Sequence, residues 1–250
     1  MCGIFFSLSD GQYLSASNEV LTCLLRRGPD HTRVLRRVIG SAASRHAEGL
    51  EQPSKYLTFV STVLCLRGNV IVPQPLVDDF SGSILCWNGE AWMVNDKTVH
   101  GNDAEMVFQM LLQATQSSLR DDQSADSEET NSICDVMSSL SGPYAFVFYD
   151  ALHQRLYYGR DALGRRSLVT RRGSGGTLII SSVCDALIPE DWQEVEADGL
   201  YMLNMRNNGN INEGIFDNTS EIEASSSAPS HITWSRDLSS EVSYVLVSMS

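Results

Sequence analysis

Apolar residues fall into many short runs, which predict strands, and into a few stretches with helical spacing. The clearest runs are rich in β-prone residues, as is typical of buried strands, and occupy positions 4–8, 56–66, 83–87, 144–149, 156–160 and 178–181. Weaker runs of the same kind lie at 34–39, 168–170 and 200–203. Strands are therefore expected to make up most of the regular structure.

Helical spacing of apolar residues marks three segments. The first is expected to end near Gly28, because glycine suits a helix C-cap and the following Pro29 cannot extend the helix. The second, 103–119, has the most regular spacing, with Asp103 near its start. A shorter helix is predicted at 133–140.

Strands and helices do not alternate regularly, which argues against a doubly wound parallel sheet. The pattern favours an α+β fold, with packed, largely antiparallel sheets and helices outside. Segment 121–131 has five acidic residues and one apolar residue, and it predicts a solvated insertion. The serine-rich segment 217–230 predicts a linker or a fraying tail. We therefore predict one domain over residues 2–216 and a linker or tail over 217–250.

Composition excludes several classes of function. The 250 residues carry a formal net charge of −13, which argues against electrostatic binding to nucleic acid or to an anionic membrane. No stretch approaches the roughly 20 apolar residues that span a membrane, and the first ten residues lack the features of a secretory signal. The six cysteines form no Cys-x-x-Cys pair, so we expect no metal site and separate, reduced thiols in a cytoplasmic protein.

The start of the chain, Met1-Cys2-Gly3, is the stretch best suited to chemistry. If Met1 is removed, Cys2 carries both a thiol and a free α-amine, whose unperturbed pKa of about 7.7–8.0 leaves much of it neutral near physiological pH. A neutral amine can serve as general base for the thiol, directly or through one water, so one residue supplies nucleophile and base. The alternative is that Cys2 is only a small buried residue at the head of a strand.

Six short clusters carry the other residues suited to catalysis or binding. In chain order they are Cys2-Gly3-Ile4, Arg27-Gly28-Pro29-Asp30, Arg67 with Gln74-Pro75, Asn88-Gly89-Glu90, Asn102-Asp103-Ala104-Glu105, and the run from Arg160 to Arg165. Each also has a structural interpretation. Asn88-Gly89 is the strongest turn signal in the sequence and predicts a hairpin, and Arg160 and Asp161 predict an ion pair at a strand end. None of the five histidines lies in a cluster, which argues against a Cys–His pair.

Together and in this order, the clusters resemble the N-terminal glutaminase domain of class II glutamine amidotransferases, in the asparagine synthetase branch. The resemblance covers roughly residues 2–203. It implies a four-layer αββα N-terminal-nucleophile sandwich of two largely antiparallel sheets. It also implies that glutamine is hydrolysed to glutamate and ammonia through a thioester on Cys2.

The resemblance assigns a role to each predicted site residue. It implies that Cys2 is the nucleophile and carries the α-amine base, and that Asn88 and the backbone N–H of Gly89 form the oxyanion hole. Arg67 would bind the substrate carboxylate, and Asp103, with Glu90 as a second candidate, would bind its ammonium. The site would be shaped by Arg27, Gly28 and Asp30. These assignments agree with general chemistry, because the planar guanidinium of arginine suits a carboxylate and an oxyanion needs donors placed where its charge develops.

Two departures from the family pattern bear on function. The chain lacks the Ser-Gly-Gly-x-Asp-Ser pyrophosphate loop of the synthetase domain, and its glycine-rich segment 173–176 is predicted to be a hairpin turn. We therefore expect no cofactor in this chain, and expect ATP and Mg²⁺ only in a missing synthetase domain, in cis or in trans, that would use the ammonia to make asparagine. The chain is accordingly expected to be either a fragment or truncated product, which the polar segment after Asp217 favours, or a stand-alone domain.

The second departure is Arg67-Gly68-Asn69-Val70, where the family usually has leucine after the arginine. It leaves open a catalytically weak or inactive domain that binds glutamine or a protein partner. An N-terminal-nucleophile amidase with another substrate is a third possibility.

Overall fold

The structure is a computed structural model that describes residues 1–40, 54–68, 70–117, 125–206 and 229–233. Within these residues the chain forms fifteen strands and three α-helices. The strands make two large antiparallel sheets and a small third sheet. The α+β class predicted from the sequence is confirmed.

The first large sheet has the N-terminal strand near its centre. Its six strands, in spatial order, are Trp192–Glu194 (β13), Val169–Arg172 (β11), Leu178–Ser181 (β12), Gly3–Asp10 (β1), Lys55–Val63 (β3) and His31–Ile39 (β2). Strand β1 pairs with β3 from Gly3 opposite Thr62 to Asp10 opposite Lys55. Seven of its eight residues are buried, so the sheet fixes the position of the chain directly after Cys2.

The second large sheet is built around the fully buried strand β9. Its six strands, in spatial order, are Ser230–Thr233 (β15), Gly199–Asn204 (β14), Arg155–Arg160 (β10), Tyr144–Asp150 (β9), Ile84–Gly89 (β5) and Leu76–Val77 (β4). The small sheet contains Lys97–Thr98 (β7), Met93–Val94 (β6) and Leu140–Ser141 (β8). The helices are Asn18–Arg27 (α1), Asp103–Ser117 (α2) and Ala125–Ser138 (α3).

The two large sheets pack face to face through a shared apolar core. Phe6 and Phe59 of the first sheet lie in the same buried cluster as Val147 and Tyr149 of the second. The rings of Phe59 and Tyr149 are 6.2 Å apart, centroid to centroid. Alternate residues of each strand point to this core, as expected for a sheet covered on both faces.

Helices cover the outer faces of both sheets. Val20 and Leu24 of α1 pack on Phe5 and Val60 of the first sheet. Helices α2 and α3 pack on the second sheet in a cluster that includes Phe146. The order helix, sheet, sheet, helix is the predicted four-layer αββα arrangement. Among the described residues, no helix is long and apolar enough to cross a membrane.

Helix α1 begins and ends where the sequence predicts. The Ser17 hydroxyl accepts a hydrogen bond from the Val20 amide (3.3 Å), and the Gly28 amide donates to the Leu24 carbonyl (3.1 Å). A Cβ on Gly28 would lie 2.3 Å from the carbonyl carbon of Thr62. Glycine therefore lets the end of α1 lie directly on β3, beside the strand that follows Cys2.

Asn88 and Gly89 do not form the predicted hairpin turn. They are the last two residues of β5, opposite Ala145 and Tyr144 of β9. A Cβ on Gly89 would lie 2.6 Å from Cβ of Tyr144 and 2.9 Å from the indole of Trp87. Close packing within the sheet, rather than a turn, requires this glycine, and a local turn signal does not distinguish the two causes.

The predicted polar segments differ in part from the structure. Helix α3 begins at Ala125 rather than near 133, so the described part of segment 121–131 is helical. Residues 121–124 lie outside the described residues. Strand β15, within the predicted linker or tail, pairs with β14, because backbone pairing does not depend on apolar side chains.

The glycine-rich segment 173–176 is a turn, as predicted. It connects the antiparallel neighbours β11 and β12 through a short 3₁₀ turn at Ser174–Gly176. Gly175 and Gly176 have φ values of 64° and 73°, in the left-handed region that glycine adopts readily.

Candidate active site

Six of the nine predicted site residues line a single cleft with about 530 Å³ of empty space open to solvent. They are Cys2, Arg67, Asn88, Gly89, Glu90 and Asp103. They come from the start of β1, the segment after β3, the end of β5 and the start of α2. These elements are far apart in the chain, so the two packed sheets bring the residues together.

Cys2 directly precedes β1 and is partly buried. Its Sγ lies 3.8 Å from the carbonyl oxygen of Leu64, which accepts a weak hydrogen bond from the thiol. The Cys2 carbonyl oxygen accepts a hydrogen bond from Nε of Arg27 (3.2 Å). A Cβ on Gly3 would lie 2.5 Å from Oγ1 of Thr62, so glycine allows β1 to approach β3 closely. Backbone contacts thus hold the thiol at the cleft.

Burial shifts the two titrating groups at the N-terminus in opposite directions. It raises the pKa of the Cys2 thiol, and the hydrogen bond to Leu64 only partly opposes it. It lowers the pKa of the N-terminal amine, which here belongs to Met1. Burial thus favours the protonated thiol, and it increases the free-base fraction of the amine, the form in which an amine can accept a proton from a thiol.

Asn88 carries an unused hydrogen-bond donor on the cleft wall. The residue is 1% exposed, and its Nδ2 has no hydrogen-bond partner among the described residues. A buried donor without a partner costs about 1–3 kcal/mol, so a ligand that supplies an acceptor would recover that free energy. Gly89 adjoins Asn88 on the wall that faces the cleft with Cys2.

Two guanidinium groups and two carboxylates line the same cleft. The Arg67 guanidinium donates to the carbonyl oxygen of Ala91 (3.1 Å). The Glu90 carboxylate lies 3.6 Å from the Arg166 guanidinium, and Asp103 is the second carboxylate. A free amino acid carries one carboxylate and one ammonium, so the cleft offers a partner of opposite charge to each end.

Asp103 is buried, and the protein already uses one of its carboxylate oxygens. Oδ2 accepts hydrogen bonds from Nε1 of Trp87 (2.9 Å) and from the amide of Ala91 (2.8 Å). The residue is the first of α2, where the helix dipole stabilises a negative charge. Its predicted place at a helix start is confirmed, and Oδ1 is left for a ligand.

We expect Asp103→Ala to destabilise the fold. Alanine would leave two buried donors, on Trp87 and Ala91, without their acceptor, at about 1–3 kcal/mol each. Asp103→Asn keeps an acceptor oxygen and should lose less than half as much free energy of unfolding. Urea unfolding measures both. As a control, Asp79→Ala at an exposed position should change the free energy of unfolding by less than about 0.5 kcal/mol. Equal stability of Asp103→Ala and wild type would contradict the two hydrogen bonds.

The other three predicted residues lie behind the cleft rather than on its wall. Arg27 holds the Cys2 carbonyl, and Gly28 lets α1 lie against β3. Asp30 accepts a hydrogen bond from the Cys65 amide (2.7 Å), and its own amide donates to the Val63 carbonyl (3.0 Å). These contacts fix the end of β3, from which the segment carrying Arg67 leaves the sheet. The expected site-shaping role fits this position.

The charged residues of the loop after β10 have structural roles, but the prediction that Arg160 and Asp161 pair with each other is wrong. Arg160 pairs instead with Glu194 (2.5 Å) and Asp161 with Arg165 (2.9 Å). Successive residues at the end of a strand point to opposite faces, so neighbours do not readily meet. Arg160 also donates from Nε to the Arg166 carbonyl (2.7 Å).

Several further residues on the cleft wall were not assigned a role from the sequence, among them Gln74, Trp87 and Arg166. Buried Gln74 accepts a hydrogen bond from the Trp87 amide (2.8 Å) and supports the end of β5. Gln74 belongs to a cluster that the sequence had marked, and the other two adjoin one, because Trp87 precedes Asn88 and Arg166 follows Arg165. Adjacency was therefore the available signal, but it does not tell which neighbour faces the cleft.

Among the described residues, no histidine lines the cleft with Cys2. His153, for example, is buried beside Asp150, with Nδ1 2.6 Å from the carboxylate. His46 lies outside the described residues. All six cysteines have free thiols, as predicted, and Cys65 is the second thiol on the cleft wall. Met1, which carries the N-terminal amine, lines the cleft beside Cys2.

Comparison with known proteins supports a single family. A family model described as a glutamine amidotransferase domain matches residues 129–244. The chain is similar to asparagine synthetase domain-containing protein 1 of Mus musculus, with 31% identity over 211 residues that cover 82% of this chain and 29% of the relative. The corresponding Gallus gallus protein is 33% identical over 193 residues, covering 76% of this chain and 26% of the relative. The chain thus spans less than a third of the length of these relatives.

Solved structures of glutamine amidotransferases are also similar to the chain. Glutamine phosphoribosylpyrophosphate amidotransferase from B. subtilis matches with a TM-score of 0.43 and 16% identity, covering 81% of this chain and 47% of that one. A protein described as a predicted glutamine amidotransferase from Pseudomonas aeruginosa matches with a TM-score of 0.43 and 12% identity, covering 85% of this chain and 99% of that one.

Proposed function

Because the chain belongs to the class II glutamine amidotransferases, with relatives among the asparagine synthetase domain-containing proteins, we propose that it hydrolyses glutamine to glutamate and ammonia through a thioester on Cys2. The observation that carries the proposal is the cleft itself. It places the Cys2 thiol with the unpartnered donor of Asn88 and with charged groups of both signs.

The first step uses both groups of Cys2 once Met1 has been removed. The free-base α-amine takes the thiol proton, and Sγ attacks the side-chain amide carbon of glutamine. Nδ2 of Asn88 and the backbone N–H of Gly89 donate to the oxygen on which negative charge develops. Because Nδ2 has no partner in the free protein, it forms this bond without breaking another.

Collapse of the tetrahedral intermediate completes acyl transfer. The α-ammonium returns its proton to the departing nitrogen, and ammonia leaves with a thioester on Cys2. The amine then activates a water that attacks the thioester carbonyl, which releases glutamate and restores the thiol. Arg67 holds the substrate carboxylate, and Asp103 with Glu90 holds its ammonium, so the amide carbon lies against Sγ.

The ammonia goes to an acceptor outside the described residues. The names of the relatives point to asparagine formation by a synthetase domain, in cis or in trans, and ATP with Mg²⁺ would act there. The glutaminase step needs neither.

The test is a glutaminase assay on protein whose N-terminus has been shown by mass spectrometry to begin at Cys2. It should release glutamate from glutamine, and the glutamine analogue 6-diazo-5-oxo-norleucine should label Cys2 but not Cys65, the other thiol in the cleft. Binding of glutamine without release of glutamate would instead indicate a non-catalytic module. Faster release from another amide would indicate a different amidase.

A further inference from the structure

Arg166 lines the cleft, and the proposed reaction gives it no task. Its side chain is 18% exposed, and a guanidinium nitrogen lies 3.6 Å from the Glu90 carboxylate. Its Nε is buried and has no hydrogen-bond partner among the described residues. The guanidinium is therefore held on the cleft by a loose ion pair.

The backbone around Arg166 is tied to the strand that follows Cys2. Its carbonyl oxygen accepts a hydrogen bond from Arg160. The next residue, Ser167, donates from its hydroxyl to the Ser182 carbonyl (2.7 Å). Ser182 in turn bonds to Ile4 of β1 in both directions, with its hydroxyl accepting from the Ile4 amide (3.0 Å) and its amide donating to the Ile4 carbonyl (2.8 Å). The loop and the N-terminus thus form one hydrogen-bonded unit.

Five charged side chains lie on or behind the cleft that Met1 and Cys2 line. Four of them line it, namely Arg67, Arg166, Glu90 and Asp103, and Arg27 lies behind it, bonded to the Cys2 carbonyl. Two of the five, Arg166 and Glu90, form an ion pair with each other. We propose that this pair sets the proton balance at Cys2, with Arg166 favouring the free-base amine and Glu90 opposing it. The inference rests on the proposed function, in which that amine is the base.

Coulomb's law gives the sign of each effect. A guanidinium disfavours a second positive charge nearby, and a carboxylate favours it. At the N-terminal amine of Met1, one residue before the amine that the reaction uses, burial is the largest cause that lowers the pKa. Arg27 and Arg166 lower it further, and Cys2 and Glu90 raise it. At the thiol, where burial raises the pKa, Arg166 acts against burial and Asp103 acts with it. Loss of Arg166 is therefore expected to move both titrations to higher pH, and loss of Glu90 to move the titration of the amine to lower pH. By Coulomb's law alone, loss of the Glu90 carboxylate is expected to move the titration of the thiol in the same direction.

The experiment measures alkylation of Cys2 by iodoacetamide as a function of pH, in protein that begins at Cys2. Mass spectrometry of the N-terminal peptide gives the rate, and the exposed thiols of Cys23 and Cys184 are references in the same sample. Arg166→Gln should move the midpoint to higher pH and slow alkylation at pH 7 about two- to fivefold, as expected for a partly screened charge. Glu90→Gln should shift the midpoint to lower pH. Arg166→Lys, which keeps the positive charge, should show the wild-type profile.

Arg171→Gln is the matched control, because Arg171 pairs with Asp191 (3.0 Å) and does not line the cleft. It should leave the midpoint unchanged. A wild-type midpoint in Arg166→Gln, or shifts of the same sign in both cleft variants, would overturn the inference. Alkylation does not need turnover, so shifts as expected without glutamate release would contradict only the proposed function. Glutamate release without shifts would contradict only the role of the pair.

Discussion

Cys2→Ala should reduce glutamate release from glutamine by about 10⁴-fold or more, as loss of the nucleophile does in other covalent enzymes. Alanine removes the proposed nucleophilic sulfur, and water in the cleft is a much weaker nucleophile. The donor Nδ2 of Asn88 and the charged anchors remain, so glutamine should still bind. Single-turnover assays measure the first effect, and calorimetric titration with glutamine measures the second.

Two controls separate the thiol from the fold. Cys184→Ala removes an exposed thiol that does not line the cleft, and it should keep wild-type activity. Protein that retains Met1 keeps the Cys2 thiol but has no free α-amine on that residue, so it should be as inactive as Cys2→Ala. Full activity with Met1 in place would contradict the role of the amine while leaving the thiol as nucleophile.

Much of the site could be predicted because its chemistry depends on residue types that stand out in sequence. Cys2 after the initiator methionine, Arg67 after a strand and Asp103 at a helix start each occupy positions with a definite physical meaning. The structure places all three on one cleft. The order of elements also fixed the fold class, since apolar runs without regular helix alternation leave few ways to bury two sheets.

The rest could not be predicted because it depends on packing between distant segments. Asn88-Gly89 has the composition of a turn, yet the bulk of Tyr144 on the neighbouring strand explains the glycine. Arg166 differs from Arg165 only in which way its side chain points. Arg165 lies over the Trp92 ring at 5.4 Å, while Arg166 lies on the cleft. A single sequence contains no direct signal for that difference.

The same packing holds the part of the cleft wall where the proposed oxyanion hole lies. Strand β5 ends at the oxyanion site, and its last residues are held by Gln74 at the Trp87 amide and by pairing with β9. Asp103 bonds to both Trp87 and Ala91, on either side of this strand end. The donor on Asn88 is thereby preorganised, which is the condition under which such donors stabilise a transition state most.

Asn88→Ala should therefore lower kcat by about 10²–10³-fold, or about 2.7–4 kcal/mol of transition-state stabilisation. The bond it removes forms as charge develops on the amide oxygen, so KM for glutamine should change much less than kcat. Steady-state kinetics on the processed protein measures both. A loss confined to KM would place Asn88 in substrate binding and contradict its role at the oxyanion.

Measuring the stability of Asn88→Ala distinguishes a role of Asn88 at the oxyanion from a structural role. Because Nδ2 is buried without a partner, removing it takes away an unfavourable desolvated donor, and Asn88→Ala should unfold at the same or a slightly higher urea concentration. Asp103→Ala, which removes an acceptor from two satisfied donors, should shift the midpoint the other way. If Asn88→Ala is both inactive and destabilised by more than about 1 kcal/mol, the asparagine supports the strand end rather than the transition state. A residue kept for catalysis is expected to be one whose loss costs activity and not stability.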